Sequence, residues 1–150
     1  MTLHTGHVGL NVTDLDRSLA FYRDVLGFEV LAEGKEENDH RRYAFLGDGG
    51  DRPVLTLWQQ AQGPYGGDRA GLHHLAFAAD SMEQVGRYEE ALKAYGADFA
   101  YEGVVAHREG AASGGIFFHD PDGTRLEISV PSGAEHAPAP HAEAPTCGFF

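Results

Sequence analysis

The sequence predicts an α+β fold built from two βαβββ modules in tandem, and three observations predict it. The run His7-Val8-Gly9-Leu10-Asn11-Val12, followed by an Asp-led helical segment, returns 67 residues later as His74-Leu75-Ala76-Phe77-Ala78-Ala79, followed by another helical segment. Each copy continues through three further extended runs separated by turn residues. Between the copies, residues 61–71 hold Gly63, Pro64, Gly66, Gly67 and Gly71, a composition that suits a linker.

In the first copy, residues 7–12 alternate as a half-buried strand, and Asp14 stands at an N-cap position. Leu15, Leu19, Phe21, Tyr22, Val25 and Leu26 then keep a helical period, and Gly27 is placed to stop it. Residues 28–31 restart an extended run, Gly34 to Asp39 is polar and turn-like, 42–46 is a strand, 47–52 turns, and 54–58 is the last strand. The second copy repeats the order: a strand over 72–79, Asp80 or Ser81 as cap, a helix through Val85, Tyr88, Ala91 and Leu92, and Gly96 as its stop. Extended runs near 98–106, 114–119 and 124–130 complete it. Asp120-Pro121-Asp122-Gly123 is a turn, since proline sets φ, Asp bonds locally and Gly123 accepts positive φ. The expected organisation is one domain over 1–131, made of repeats at about 5–60 and 71–131, and a tail over 132–150. That tail is rich in Ala, Pro and His and is expected to be loosely ordered, with Phe149 and Phe150 available to dock on the body or on a partner.

With 42% hydrophobic and 23% charged residues over 150 positions, the chain has the composition of a compact soluble domain. No apolar run approaches the roughly 18 residues of a membrane span, and Met1-Thr2-Leu3-His4 does not begin like a secretory signal, so the expected location is cytoplasmic. The single cysteine, Cys147, fits a reducing compartment and is expected to be a bystander. A net charge of −12 with only 11 Lys and Arg argues against nucleic acid and against anionic membranes, and says little about a small neutral ligand.

Strand geometry turns the repeat into chemistry. Residues two apart share a face, so His7 looks the same way as Gly9 and Asn11, and His74 the same way as Ala76 and Ala78. Small neighbours leave room around each imidazole. Glu127 lies between Leu126 and Ile128, and an inward carboxylate in a sheet needs a cation or hydrogen-bond donors. Two histidines and one carboxylate form a plausible divalent-metal site with positions left for substrate. His73 competes with His74 for the ligand role; the repeat favours His74 because it aligns with His7, whereas His73 is expected on the opposite face.

The chain resembles the vicinal oxygen chelate superfamily, which includes glyoxalase I, type I extradiol dioxygenases, fosfomycin-resistance enzymes and bleomycin-binding proteins. The residues that carry the resemblance are Gly6-His7-Val8, the run from Asp14 to Phe28, His74-Leu75-Ala76-Phe77, and Asp120-Pro121-Asp122-Gly123 with Leu126-Glu127. It covers about residues 5 to 131. The resemblance implies two βαβββ modules forming a cupped mixed sheet around a metal and ligand pocket, with His7, His74 and Glu127 as ligands of one divalent ion that binds two oxygens of the substrate. Fe(II) or Mn(II) is favoured, with Ni, Co or Zn compatible with the same donors.

Departures from individual members narrow the reading. Glyoxalase I carries a second glutamate on the last strand of the first module, where this chain has Thr56, so glutathione-dependent isomerisation is disfavoured. Extradiol and fosfomycin enzymes carry a tyrosine about ten residues before the last glutamate, where this chain has Phe117. His107 lies near where extradiol enzymes keep a catalytic histidine and is the candidate acid or base. Trp58, sharing a face with Thr56, is the candidate for stacking on a flat substrate, with Thr56, Asn11, Phe117 and Arg125 as further contacts. The expected protein is a homodimeric metalloenzyme with dioxygenase-like chemistry on a small substrate. The alternatives are lyase or isomerase chemistry through an enediolate, and a dimer that sequesters an antibiotic without catalysis.

Overall fold

The structure is a computed structural model, and it describes residues 1–38 and 40–150; Asp39, in the stretch expected to turn, lies outside the described residues. The chain divides into two compact units, Met1–Pro64 and Tyr65–Phe150.

The first unit opens with β1 (Val8–Val12) and a helix, α1 (Leu15–Leu19), that continues as wider π-helical turns over Ala20–Val25. Asp14 caps the helix from an extended backbone, its carboxylate accepting the Arg17 N–H at 3.0 Å. Gly27 ends it in the left-handed region, at φ 80°. Three strands follow: β2 (Glu29–Lys35), β3 (Arg42–Gly47) and β4 (Leu55–Gln59). The sheet order is β1-β4-β3-β2, with β1 parallel to β4 and the other pairs antiparallel. Strand β2 runs through Gly34 and Lys35, which the sequence pattern places in a turn. Pairing with Tyr43 and Arg42 extends it, and Gly34 leaves space for the Tyr43 ring, whose Cζ would lie 2.7 Å from an added Cβ. Leu10, Val12, Leu15, Leu19, Phe21 and Tyr22 are buried, so the alternating strand and the helix stripe form this unit's core.

The second unit repeats the plan with β5 (Leu75–Ala78), α2 (Met82–Tyr95), β6 (Asp98–Phe99), β7 (Val105–Ala106), β8 (Gly114–His119) and β9 (Arg125–Val130). Its order is β5-β9-β8-β6, with β7 also paired to β8 and β5 parallel to β9. Ser81 caps α2 by accepting the Gln84 N–H at 3.2 Å, and Gly96 at φ 87° closes it. The expected single run over 98–106 is two short strands, because the chain turns through Gly103 at φ 67° before pairing again with β8. The first strand begins at Leu75 rather than near 72, which leaves His74 immediately ahead of it.

Registers make the repeat exact in one place that matters. Gly9 pairs with Thr56 in the first unit, and Ala76 pairs with Glu127 in the second, so Thr56 and Glu127 occupy equivalent positions. His7 and His74 each stand two residues before the paired small residue. In the second unit, strand alternation sends Leu126 and Ile128 to one face and Glu127 to the other, opposite Phe117 of β8.

The segment after Pro131, expected to be loosely ordered, is tied to the second unit. Ala134 donates to the Ala112 carbonyl at 2.8 Å, Ala106 to the Pro138 carbonyl at 2.9 Å, and Thr146 to the His107 carbonyl at 2.8 Å. A 3-10 turn over Thr146–Gly148 then leads to Phe150. Among the described residues, no helix is long and apolar enough to cross a membrane.

Gly115 permits close packing of β8 on β9: a Cβ there would lie 2.7 Å from the Ser129 Cα and 2.8 Å from the Ile128 carbonyl carbon, both backbone atoms. Gly115→Ala is therefore expected to destabilise the protein by about 2 kcal/mol or more in chemical unfolding. A change within about 0.5 kcal/mol, the range of an ordinary surface substitution, would contradict this packing.

Candidate metal centre

Glu127 is only 3% exposed, and two imidazoles converge on it. Its Oε2 lies 3.5 Å from His74 Nε2, and its Oε1 bonds His107 Nε2. Each imidazole is itself held from behind. His107 Nδ1 lies 2.9 Å from the Ser113 hydroxyl, and His74 Nδ1 lies 2.8 Å from His73 Nδ1. The His73 and His74 rings touch edge to face, with centroids 5.1 Å apart. The opposite-face expectation for His73 fails because both residues precede β5, where strand alternation does not apply. Tyr65 helps hold that approach, its hydroxyl bonding the carbonyls of Leu72 and His73.

Cys147 joins the same group. Ligand atoms of His74, Glu127 and Cys147 all lie within 4.8 Å of one another. Burial pushes the His74 pKa below its ordinary value, against the opposing pull of the Glu127 charge, which favours the neutral imidazole that a metal binds. Burial pushes the Cys147 thiol up, and the neighbouring Glu127 charge adds to that effect. The donor set fits a divalent cation: a buried carboxylate, the imidazoles of His74 and His107 that meet it, and the nearby Cys147 thiol are all ligand types such ions take. His107, bonded to the second carboxylate oxygen, has the arrangement of a residue that orients a ligand.

The chain after Pro145 packs beside these donors. Phe150 sets its ring against Phe117 at 4.9 Å, His74 at 5.7 Å, His119 at 6.2 Å and Tyr101 at 6.4 Å between centroids. Thr146, fully buried, anchors the turn: its hydroxyl donates to the Ala106 carbonyl at 2.6 Å, and its carbonyl accepts from the Tyr101 hydroxyl at 3.1 Å. Sequence reasoning left Cys147 a bystander and attached no site to Phe150. No spacing motif marks either one, because the tail's return path decides their position.

The remaining sequence-predicted residues divide between the units. In the first, His7 is exposed just ahead of β1. Thr56 is buried, and its hydroxyl accepts the Trp58 indole N–H at 3.0 Å. Trp58 packs on Tyr43 at 5.3 Å and Phe45 at 6.0 Å, and Asn11, its strand partner, accepts the Gln60 amide at 2.6 Å. In the second unit, Phe117 is fully buried opposite Glu127. Arg125 reaches toward the 65–71 loop, where its guanidinium lies against Gly67.

A family model for the Glyoxalase/Bleomycin resistance protein/Dioxygenase superfamily matches residues 4–128. The chain belongs to this superfamily. Among curated superfamily relatives, it is 30% identical over 127 residues to a catechol-2,3-dioxygenase of Bacillus subtilis (strain 168), a match that covers 83% of this chain but 40% of that protein. It is 32% identical over 131 residues to a lactoylglutathione lyase of Haemophilus influenzae, covering 81% of this chain and 88% of that one. The crystal structure of a glyoxylase/bleomycin resistance protein/dioxygenase domain from Frankia sp. EAN1pec superposes with a TM-score of 0.74 at 25% identity, covering 87% of this chain and 99% of that one. Cys147 and Phe150 lie beyond the residues that the superfamily model matches.

Thr146→Val removes the hydroxyl donor to Ala106 while keeping the side chain's shape. It is expected to weaken tail docking by about 1 kcal/mol and to speed amide exchange at residue 146, read by hydrogen-exchange mass spectrometry. Unchanged exchange would mean that Thr146 does not anchor the segment.

Proposed function

We propose that this chain is a metal-dependent enzyme whose ion is held by His74 and Glu127, with His7 of the first unit as the third protein ligand. The proposed reaction is dioxygenase-like chemistry on a small, aromatic substrate gripped through two neighbouring oxygens. The observation that carries the reading is Glu127, a buried carboxylate whose partners are the imidazoles of His74 and His107. His74 and Glu127 supply one nitrogen and one oxygen, and His7 stands at the repeat-equivalent position of His74. Three protein ligands leave room for a chelating substrate, and Fe(II) or Mn(II) suits that donor set, with Ni, Co or Zn as the other candidates. When bound, such an ion would polarise the substrate oxygens and stabilise negative charge on them.

The chain's own residues take the other roles. His107 is proposed as the acid or base, its Nδ1 fixed by Ser113 so that Nε2 faces Glu127. Trp58 offers an indole face braced by Tyr43 and Phe45 for a flat substrate, with Thr56 and Asn11 beside it on their sheet. Phe117 and Arg125 are the proposed contacts from the second unit. We take the working form to be a homodimer.

One observation favours the dioxygenase-like reading over lactoylglutathione lyase chemistry: Thr56 stands at the position where the resemblance to glyoxalase I would call for a second glutamate, and its hydroxyl is engaged by Trp58. The chain is similar both to a catechol-2,3-dioxygenase, of which it spans less than half, and to lactoylglutathione lyases, so the choice rests on Thr56.

Glu127→Gln keeps the side chain's volume and removes its charge. Metal retained after anaerobic purification, measured by elemental analysis, is expected to fall to below about a tenth of the parent level. Undiminished metal would overturn the assignment. His107→Asn should lower oxygen uptake with catechol by about a hundredfold while metal content persists. Normal uptake would remove His107 from the reaction, and loss of metal would make it a residue that positions Glu127.

A further inference from the structure

The tail brings to the candidate centre a donor that the superfamily match does not contain. Cys147 lies outside residues 4–128, yet its sulfur stands with the His74 and Glu127 donors inside one 4.8 Å group. That position is held from both sides. Thr146, the preceding residue, is fixed to the sheet and loops before the tail by three hydrogen bonds: its N–H to the His107 carbonyl, its hydroxyl to the Ala106 carbonyl, and its carbonyl from the Tyr101 hydroxyl. Three residues after Cys147, the Phe150 ring rests on His74 and Phe117. The cysteine is thus held next to a buried carboxylate and an imidazole by contacts that do not involve its own sulfur.

Nitrogen, carboxylate oxygen and sulfur together form a donor set for a borderline divalent cation. Thiolate bonds Zn(II) or Co(II) well and is the softest of the three donors, so its presence moves preference away from Mn(II). We propose that Cys147 is a ligand of the same ion as His74 and Glu127, so that residues 146–150 cap the centre with a thiolate and a phenyl ring in the resting protein. This rests on the proposed metal site and adds to it: with His7, His74 and Glu127, Cys147 completes a four-coordinate resting ion, and a substrate that chelates through two oxygens displaces the cap. Of the ions proposed above, a thiolate ligand favours Fe(II), Co(II) or Zn(II) over Mn(II).

The test uses the full chain loaded with Co(II), because a thiolate ligand gives cobalt an intense near-ultraviolet charge-transfer band that nitrogen and oxygen ligands do not. Cys147 is the only cysteine in the chain, so the band has one possible source. The expected result is stoichiometric cobalt with the band in the parent protein. Cys147→Ser should lose the band and still take cobalt, with affinity lower by at least about tenfold. Glu127→Gln should lose the band together with the metal. Cobalt that binds the parent in a Glu127-dependent manner without the band would overturn the cap and leave the proposed metal site standing. A parent protein that binds no cobalt, or binding indifferent to Glu127→Gln, would overturn both. A band that survives in Glu127→Gln would place the sulfur on a different ion and also overturn the proposal.

Discussion

A carboxylate with 3% exposure in the middle of a β-sheet is the constraint around which the second unit is arranged. Strand alternation forces it: Leu126 and Ile128 share one face of β9, so Glu127 must face the other way, opposite Phe117. Water cannot solvate a group so enclosed, and burying an unpaired charge is prohibitive, so partners have to come from the protein. His107 takes one oxygen and His74 faces the other. Ser113, His73 and Tyr65 hold those two imidazoles or the segment that carries them. A cation at this point would satisfy the same carboxylate with the same imidazoles.

The repeat shows what happens where that constraint is absent. Thr56 occupies the position of Glu127 in the first unit, paired with Gly9 as Glu127 is paired with Ala76. Its hydroxyl is neutral, and a single bond from the Trp58 indole satisfies it within the strand's own face. The first unit consequently places aromatic surface where the second places ionisable groups. One backbone plan carries two chemistries because the residue at the centre of the last strand is a hydroxyl in one copy and a carboxylate in the other.

Much of both modules was legible in the sequence because the signals are local. Asp14 and Ser81 cap their helices through their own side chains, Gly27 and Gly96 end them by adopting positive φ, and the apolar period matches the buried face of each helix. The misreadings arise where pairing overrides local pattern: β2 reaches Lys35 because β3 is there to pair with it, and the expected run over 98–106 breaks at Gly103 because β8 takes up its two ends separately. His73 was misplaced for a related reason, since alternation was applied to a residue that stands ahead of the strand.

The sequence by itself determined the module plan and the capping of the helices, because each rests on the identity and spacing of residues along one strand, helix or loop; it also singled out His74, His107 and Glu127, which the structure brings together at one carboxylate. Tertiary structure alone decided the company those residues keep. Cys147 and Phe150 stand against His74 and the β8–β9 face because Thr146 and the backbone from Ala134 to Pro138 bring the chain back across it. That return path is set by hydrogen bonds between segments far apart in sequence, and no local period or motif encodes where such a segment comes to rest.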